Sequence, residues 1–217
     1  MLEPAALESL LRAAVAIPVV ALDRADDAVP LARTLADAGL RVVEITLRTA
    51  AGLPAIRAIR AAGIPIDVAA GTIRTPSDLI AARDAGATFA ISPGATRELI
   101  DAARASDFAW LPGVATPSDV MTLADAGYAV QKLFPAHLDL VDALAGPFPD
   151  VRFVPTGGID LGNAGEYLKR RTVLAVAGSW IAPRASIAER AWPEIERRAR
   201  GASAFASAIT RALASAP

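Results

Sequence analysis

Gly127-Tyr128-Ala129-Val130-Gln131-Lys132-Leu133-Phe134-Pro135 is a short apolar run held between a glycine and a proline, which reads as a single buried strand. The residues before it, 117–126, have helical spacing and end at Gly127, a residue suited to closing a helix. Helix, glycine, apolar strand is therefore the local unit, and it recurs along the chain. Apolar runs fall at 17–22, 40–47, 66–69, 88–91, 108–111, the Lys132 segment, 151–154 and 173–177. Between them the spacing predicts helices over about 26–38, 50–62, 76–85, 96–105, 117–126, 138–145 and 161–170. Gly39, Gly63, Gly86, Gly127 and Gly146 stand at helix ends. A helix over 4–14, with proline at its start, precedes the first strand. A helical region from about 187 to 214, broken near Gly201, follows the last.

Eight apolar strands alternate with helices at a spacing of roughly 20–25 residues, which implies a parallel sheet covered by helices. The two candidates are a closed (β/α)8 barrel and an open doubly wound sheet. No strand–turn–helix carries Gly-x-Gly-x-x-Gly and no linker divides the 217 residues, which favours one α/β domain over 1–217, a (β/α)8 barrel with an N-terminal helix.

Composition narrows the function. Hydrophobic residues make up 53% and charged residues 21%, enough for a sizeable core and too apolar for disorder. The net charge of −1, with no block of like charges, gives no support for a nucleic-acid surface. Cysteine is absent, so the expected setting is a reducing cytoplasm, with no disulfides and no thiol nucleophile. No apolar run approaches the roughly 20 residues of a membrane span, and the N-terminus lacks the pattern of a signal peptide. One histidine and no cysteine argue against a zinc site, and no clustered carboxylates recommend magnesium, so neither metal nor cofactor is expected.

In such barrels chemistry gathers at the C-terminal ends of the strands. Alternation puts Tyr128, Val130, Lys132 and Phe134 on one face of the Lys132 strand. The chain has only two lysines, Lys132 and Lys169, against twenty arginines. A lysine on a buried strand either snorkels to water or serves as an amine whose charged form is disfavoured, free to attack a carbonyl as a Schiff-base nucleophile. Glu44, Thr46 and Arg48 share one parity at the exit of the second strand. Glu44 and Arg48 could neutralise each other as a buried ion pair. Alternatively, Glu44 is a general acid/base and Arg48 a fork for a substrate carboxylate. Thr156-Gly157-Gly158 and Gly178-Ser179 follow strands seven and eight, where barrels often bind phosphate; two ordinary tight turns are the plainer reading. His137, a lone histidine, is more often solvated or packed than catalytic. Trp110, Trp180 and Trp192 read as packing.

Together these segments resemble a known family. Val43-Glu44-Ile45-Thr46-Leu47-Arg48-Thr49, Ala70-Gly71-Thr72, Ile91-Ser92-Pro93-Gly94, Leu111-Pro112-Gly113-Val114-Ala115-Thr116-Pro117, Lys132-Leu133-Phe134-Pro135-Ala136, Val154-Pro155-Thr156-Gly157-Gly158-Ile159 and Gly178-Ser179-Trp180 resemble, in order, the 2-keto-3-deoxy-6-phosphogluconate (KDPG) aldolase family, which overlaps with 4-hydroxy-2-oxoglutarate aldolases. The resemblance implies a (β/α)8 barrel, a class I Schiff-base mechanism on a 2-keto acid, commonly phosphorylated, and a homotrimer. It implies Lys132 as the Schiff-base lysine and Glu44 as the proton shuttle. Arg48, Thr72 and Pro93 would hold the pyruvate portion, with Phe134 beside the lysine. Thr156, Gly157, Gly158 and Ser179 would form the hydroxyl- and phosphate-binding loops. Three positions depart from the pattern. His137 stands where the family commonly has Glu, and the loop 136–143 is a few residues shorter. Ala69-Ala70-Gly71-Thr72 replaces Gly-Ala-Gly-Thr, adding a methyl group to the third strand. The first two departures fall at the distal end of the substrate pocket. Without a Schiff base, the same barrel could be a phosphate-binding isomerase or synthase using Glu44 as base, or a scaffold with a vestigial pocket.

Overall fold

Parallel pairing runs from strand to strand around the molecule until the last meets the first. The computed structural model describes residues 4–214; residues 1–3 and 215–217, which the sequence assigns to the same domain, lie outside the described residues. The strands are β1 (Ala16–Val20), β2 (Val42–Thr46), β3 (Asp67–Gly71), β4 (Phe89–Ile91), β5, split around Pro112 into Trp110–Leu111 and Gly113–Val114, β6 (Val130–Leu133), β7 (Arg152–Pro155) and β8 (Val176–Gly178). Their order is sequential and β1 pairs with β8 through Ala16↔Val176, Ile17↔Ala177 and Pro18↔Gly178. Pro112 has no N–H to give the ladder, but its carbonyl accepts from Lys132 N at 2.7 Å, so β5 continues through the break. The β7–β8 seam is thinner, two parallel bridges at Phe153↔Val173 and Thr156↔Ala177. The result is the closed eight-stranded barrel that the alternation predicts.

Helices wrap the outside: α2 (Ala28–Asp37), α3 (Gly52–Ala61), α4 (Pro76–Asp84), α5 (Arg97–Ser106), α6 (Pro117–Asp125), α7 (Leu138–Ala145), α8 (Ala164–Leu168), α9 (Arg184–Ala188) and α10 (Trp192–Ala214). Each strand is buried on both faces, which is why the strands read as continuous apolar runs rather than alternating ones. One apolar layer, including Val43, Ile45, Val68 and Leu133, packs between sheet and helices. A second fills the barrel interior with Ile17, Val42, Phe89, Leu111 and Val154. Helix α1 (Pro4–Ala14) adds Leu7, Leu11 and Ala14 to that interior cluster and plugs the N-terminal end. Ala69, the extra methyl on β3, is fully buried in the same cluster. The floor is thus closed by leucines, each worth about 1.5–3 kcal/mol when fully buried, and the opening lies at the other end.

Local signals set many boundaries. Thr75 and Thr116 form matching capping boxes with Asp78 and Asp119, and Pro76 and Pro117 open the helices behind them. Gly39 and Gly127 end their helices in the left-handed conformation expected of them, with φ of 88° and 94°. Gly146 ends α7 differently, with φ −69°. Three elements are shorter than expected. The first turn of the 26–38 helix is a separate 3-10 turn, Ala25–Asp27. The 161–170 helix contracts to Ala164–Leu168 because Asp160 accepts from Gly162 N and Asn163 N and holds the preceding residues as a turn. Strand 173–177 shifts to Val176–Gly178, since Val173 N–H donates back to Arg170 O in a turn and Leu174 N–H to Phe153 O makes only an isolated bridge. The final helical region does not break near Gly201. The interruption comes earlier, at Arg190, whose φ is 53°, and α10 then runs through Gly201. Among the described residues no helix is long and apolar enough to cross a membrane.

Candidate active site

Strand alternation delivers two opposite charges into an otherwise apolar interior. On β2, Val43 and Ile45 face the helices while Val42 faces the barrel, so Glu44 points inward and is 1% exposed. On β6, Gln131 and Leu133 face outward and Val130 inward, which turns Lys132 to the same interior at 5% exposure. Gln131 fixes this orientation by donating from Nε2 to the carbonyls of Val120 and Tyr128, at 3.3 and 2.9 Å. Lys132 Nζ then donates to Glu44 Oε1 and Oε2 at 3.3 and 3.4 Å across the barrel. Tyr128 does not share this face. Pairing of β6 begins at Val130, so alternation does not extend back to Tyr128. Its ring packs edge-on against Trp110 at 5.1 Å, where burial pushes the phenol's pKa up. Gly71 lies beside Glu44, and a Cβ there would overlap the carboxylate. The glycine is what lets a charged group fit.

The expected alternative, a Glu44–Arg48 ion pair, does not form. Glu44 is committed to Lys132, and Arg48 Nε donates instead to Thr72 Oγ1 at 3.2 Å. Arg48, Thr72, Pro93, Lys132 and Phe134 line one cavity of about 220 Å³ at the strand exits. Thr72 is held with φ 63°, a left-handed conformation unusual for a β-branched residue and worth about 1–3 kcal/mol of local strain. The Phe134 ring centroid lies 5.7 Å from Lys132 Nζ, within range of a cation–π contact.

A larger cavity of about 630 Å³ adjoins it and shares Arg48 and Phe134. Its lining includes Thr156, Gly157, Gly158 and Ser179, so all ten sequence-predicted positions fall at one mouth, Glu44 beneath it. Gly157 and Gly158 have φ of 96° and 69°. The backbone N–H groups of Gly158 and Ser179 meet no acceptor among the described residues, whereas the parallel bridge Thr156↔Ala177 turns the Gly157 N–H toward the Ala177 carbonyl. The loop is braced from behind by Asn163, whose Nδ2 donates to Gly158 O at 2.9 Å.

Four polar or aromatic contributors lie outside the sequence-predicted set. Thr49 and Trp180 line the larger cavity, so Trp180 is not packing alone. Arg184 lines it too, and donates through Nε (2.9 Å) and Nη2 to the carboxylate of the fourth, Asp23, which follows β1. These bonds hold the Asp23 carboxyl below its ordinary pKa and push the Arg184 guanidinium above its own. A signal exists for Arg184, the first residue of α9: it is the only charged residue between Arg171 and Glu189. His137 is exposed at the start of α7 and lines neither cavity.

Known proteins share this fold and much of this sequence. A family model for KDPG and KHG aldolases matches residues 7–198. The 2-dehydro-3-deoxy-phosphogluconate aldolase of Pseudomonas aeruginosa is 42% identical over 202 residues, covering 91% of this chain and 92% of its own. The crystal structure of KDPG aldolase from Legionella pneumophila, with pyruvate captured as a covalent carbinolamine, superposes with a TM-score of 0.87 at 38% identity, over 90% of this chain and 97% of that one. The Zymomonas mobilis ZM4 enzyme with 3-phosphoglycerate superposes with a TM-score of 0.85 at 39% identity, over 92% and 95%. The chain belongs to the KDPG and KHG aldolase family.

Proposed function

We propose that this chain is a class I aldolase that cleaves 2-keto-3-deoxy-6-phosphogluconate to pyruvate and glyceraldehyde 3-phosphate, with Lys132 as nucleophile and Glu44 as proton shuttle. The observation that carries the reading is the buried Lys132–Glu44 contact of 3.3 Å at the edge of a cavity whose other walls are Arg48, Thr72, Pro93 and Phe134. Proton transfer along that contact yields a neutral amine and a protonated acid in one step. The amine adds to the C2 ketone, giving a carbinolamine, and the acid returns a proton as water leaves to form the iminium. The iminium is the electron sink. Glu44, again a carboxylate, takes the proton of the C4 hydroxyl, directly or through a water. The C3–C4 bond breaks, the aldehyde leaves, and its electrons form an enamine on the lysine. Protonation at C3 and addition of water release pyruvate and restore the amine. Arg48 presents a guanidinium to the substrate carboxylate and is steadied by Thr72.

The distal reading follows from the second cavity. Two backbone N–H groups without acceptors, from Gly158 and Ser179, suit a phosphoryl group, with Thr156 beside the substrate hydroxyls. The carbinolamine in the Legionella enzyme and the 3-phosphoglycerate in the Zymomonas enzyme support the two halves of the assignment. A second reading, cleavage of 4-hydroxy-2-oxoglutarate to pyruvate and glyoxylate, draws on the family's second activity and the presence of Arg184 in the distal wall. The ratio of kcat/KM on the two substrates separates them.

The whole chain serves as one catalytic domain, and a homotrimer in a reducing cytoplasm is the proposed working form. Among the described residues Ile80, Met121 and Leu161 are the exposed large apolar side chains that a subunit interface could cover, and a light-scattering mass of three chains is the expected result. The mechanism is tested with pyruvate and borohydride. A stable adduct mapped to Lys132 and absent without pyruvate supports it; a folded protein that traps none excludes it.

A further inference from the structure

We infer that Arg184 selects for a phosphorylated substrate, acting as the cation that faces the distal phosphoryl group; the inference rests on the aldolase reading and extends it. The two adjoining cavities share Arg48 and Phe134, so one extended substrate can occupy both. Among the described residues only two cationic side chains, Arg48 and Arg184, line the distal cavity. Arg48 also belongs to the lysine cavity and is bonded to Thr72 there, which assigns it to the carboxylate end. A phosphomonoester at the other end brings close to two negative charges. The N–H groups of Gly158 and Ser179 supply dipoles to it but no net charge. Arg184 is the remaining source.

Its geometry fits that task. The Arg184 side chain is 63% exposed, at the rim of the cavity rather than sealed in the core. Asp23 engages Nε and Nη2 side by side, and Nη1 has no acceptor among the described residues. A planar guanidinium bonded along one edge keeps its other edge fixed and open, ready to meet a second anion. Asp23 is therefore the counterion that an arriving phosphoryl group joins or displaces. A neutral aldehyde end gains nothing from Arg184, and a single carboxylate gains less than a dianion. The substrate class is a 2-keto acid ending in a phosphomonoester.

The opposing explanation is that Arg184 only ties the start of α9 to the loop after β1. Both explanations share the Asp23 contact, so two variants separate them. Compare kcat/KM on 2-keto-3-deoxy-6-phosphogluconate with that on 2-keto-3-deoxygluconate for the wild type, Arg184→Ala and Asp23→Ala. In Arg184→Ala the phosphate preference should fall about tenfold, through KM, as for loss of a charged hydrogen bond. In Asp23→Ala, which cuts the same tether but leaves the guanidinium, the preference should equal or exceed that of the wild type. An unchanged preference in Arg184→Ala, or an equal fall in both variants, overturns the inference. Pyruvate trapping on Lys132, run on the same proteins, reports separately on the aldolase reading; a wild type that traps none removes that reading and this inference with it.

Discussion

The two ends of the substrate site are built in opposite ways. At the lysine end every reacting group stands on a strand, buried and fixed by pairing on both sides. Lys132 sits across from Gly113 and Val154, and Glu44 across from Val19 and Ala69. At the distal end the contributors come from loops, Ser179 and Gly158 are exposed, and the cavity is nearly three times larger, about 630 against 220 Å³. The difference divides the work. Bond making and breaking require a fixed separation of amine and carboxylate, which only a packed interior maintains. Choosing a substrate tail requires charge and N–H donors at a rim, which loops can change without disturbing the barrel.

If that division is right, the largest effects lie at the lysine end. Replacing Lys132 with Arg keeps the charge and the partner of Glu44 but removes a deprotonatable amine. Turnover should fall by at least about 10⁴-fold, with no borohydride adduct and a folded circular-dichroism spectrum. Substantial residual cleavage would place the chemistry elsewhere. Glu44 comes next, and two substitutions divide its roles. Glu44→Ala leaves a buried ammonium without a partner, which should destabilise the fold by about 3–5 kcal/mol. Glu44→Gln keeps the volume and an acceptor oxygen but cannot take a proton, and kcat should drop about 10²–10⁴-fold with a smaller loss of melting temperature. Full kcat in Glu44→Gln would reduce Glu44 to a counterion.

The same contrast explains what can be read from the sequence. Buried parallel strands are apolar on both faces, so β1 to β8 stand out as runs bounded by glycine and proline. Parity along β2 and β6 is enough to aim Glu44 and Lys132 inward. Their pairing is not legible in the same way. Glu44 and Arg48 share parity four residues apart, and nothing local favours a partner 88 positions away over one nearby. The distal end is less legible because loops have no periodicity. Gly157 and Gly158 announce themselves by type, and Arg184 stands out as the one charge between Arg171 and Glu189, but nothing local pairs it with Asp23 until the barrel brings the loop after β1 and the start of α9 together. The break before the last helix is hidden for a related reason. Gly201 is tolerated inside α10, while the interruption at Arg190 is signalled only by Pro193, at the second position of the following helix.

The smallest expected effect tests whether the rim works through backbone or side chain. Ser179 contributes both an N–H without an acceptor and an exposed hydroxyl. Ser179→Ala removes only the hydroxyl. In an exposed, solvated position a neutral hydrogen bond nets about 0.5–1.5 kcal/mol, and if the phosphoryl group rests mainly on backbone donors the loss should sit at the bottom of that range. KM for the phosphorylated substrate should then rise less than about threefold, with kcat unaffected, well below the change expected for Arg184→Ala. A tenfold rise would mean that the hydroxyl is a principal ligand and that the glycines serve chiefly to turn the chain. The distal end would then resemble the lysine end, built from side chains in fixed places, and the contrast between the two would narrow to one of burial alone.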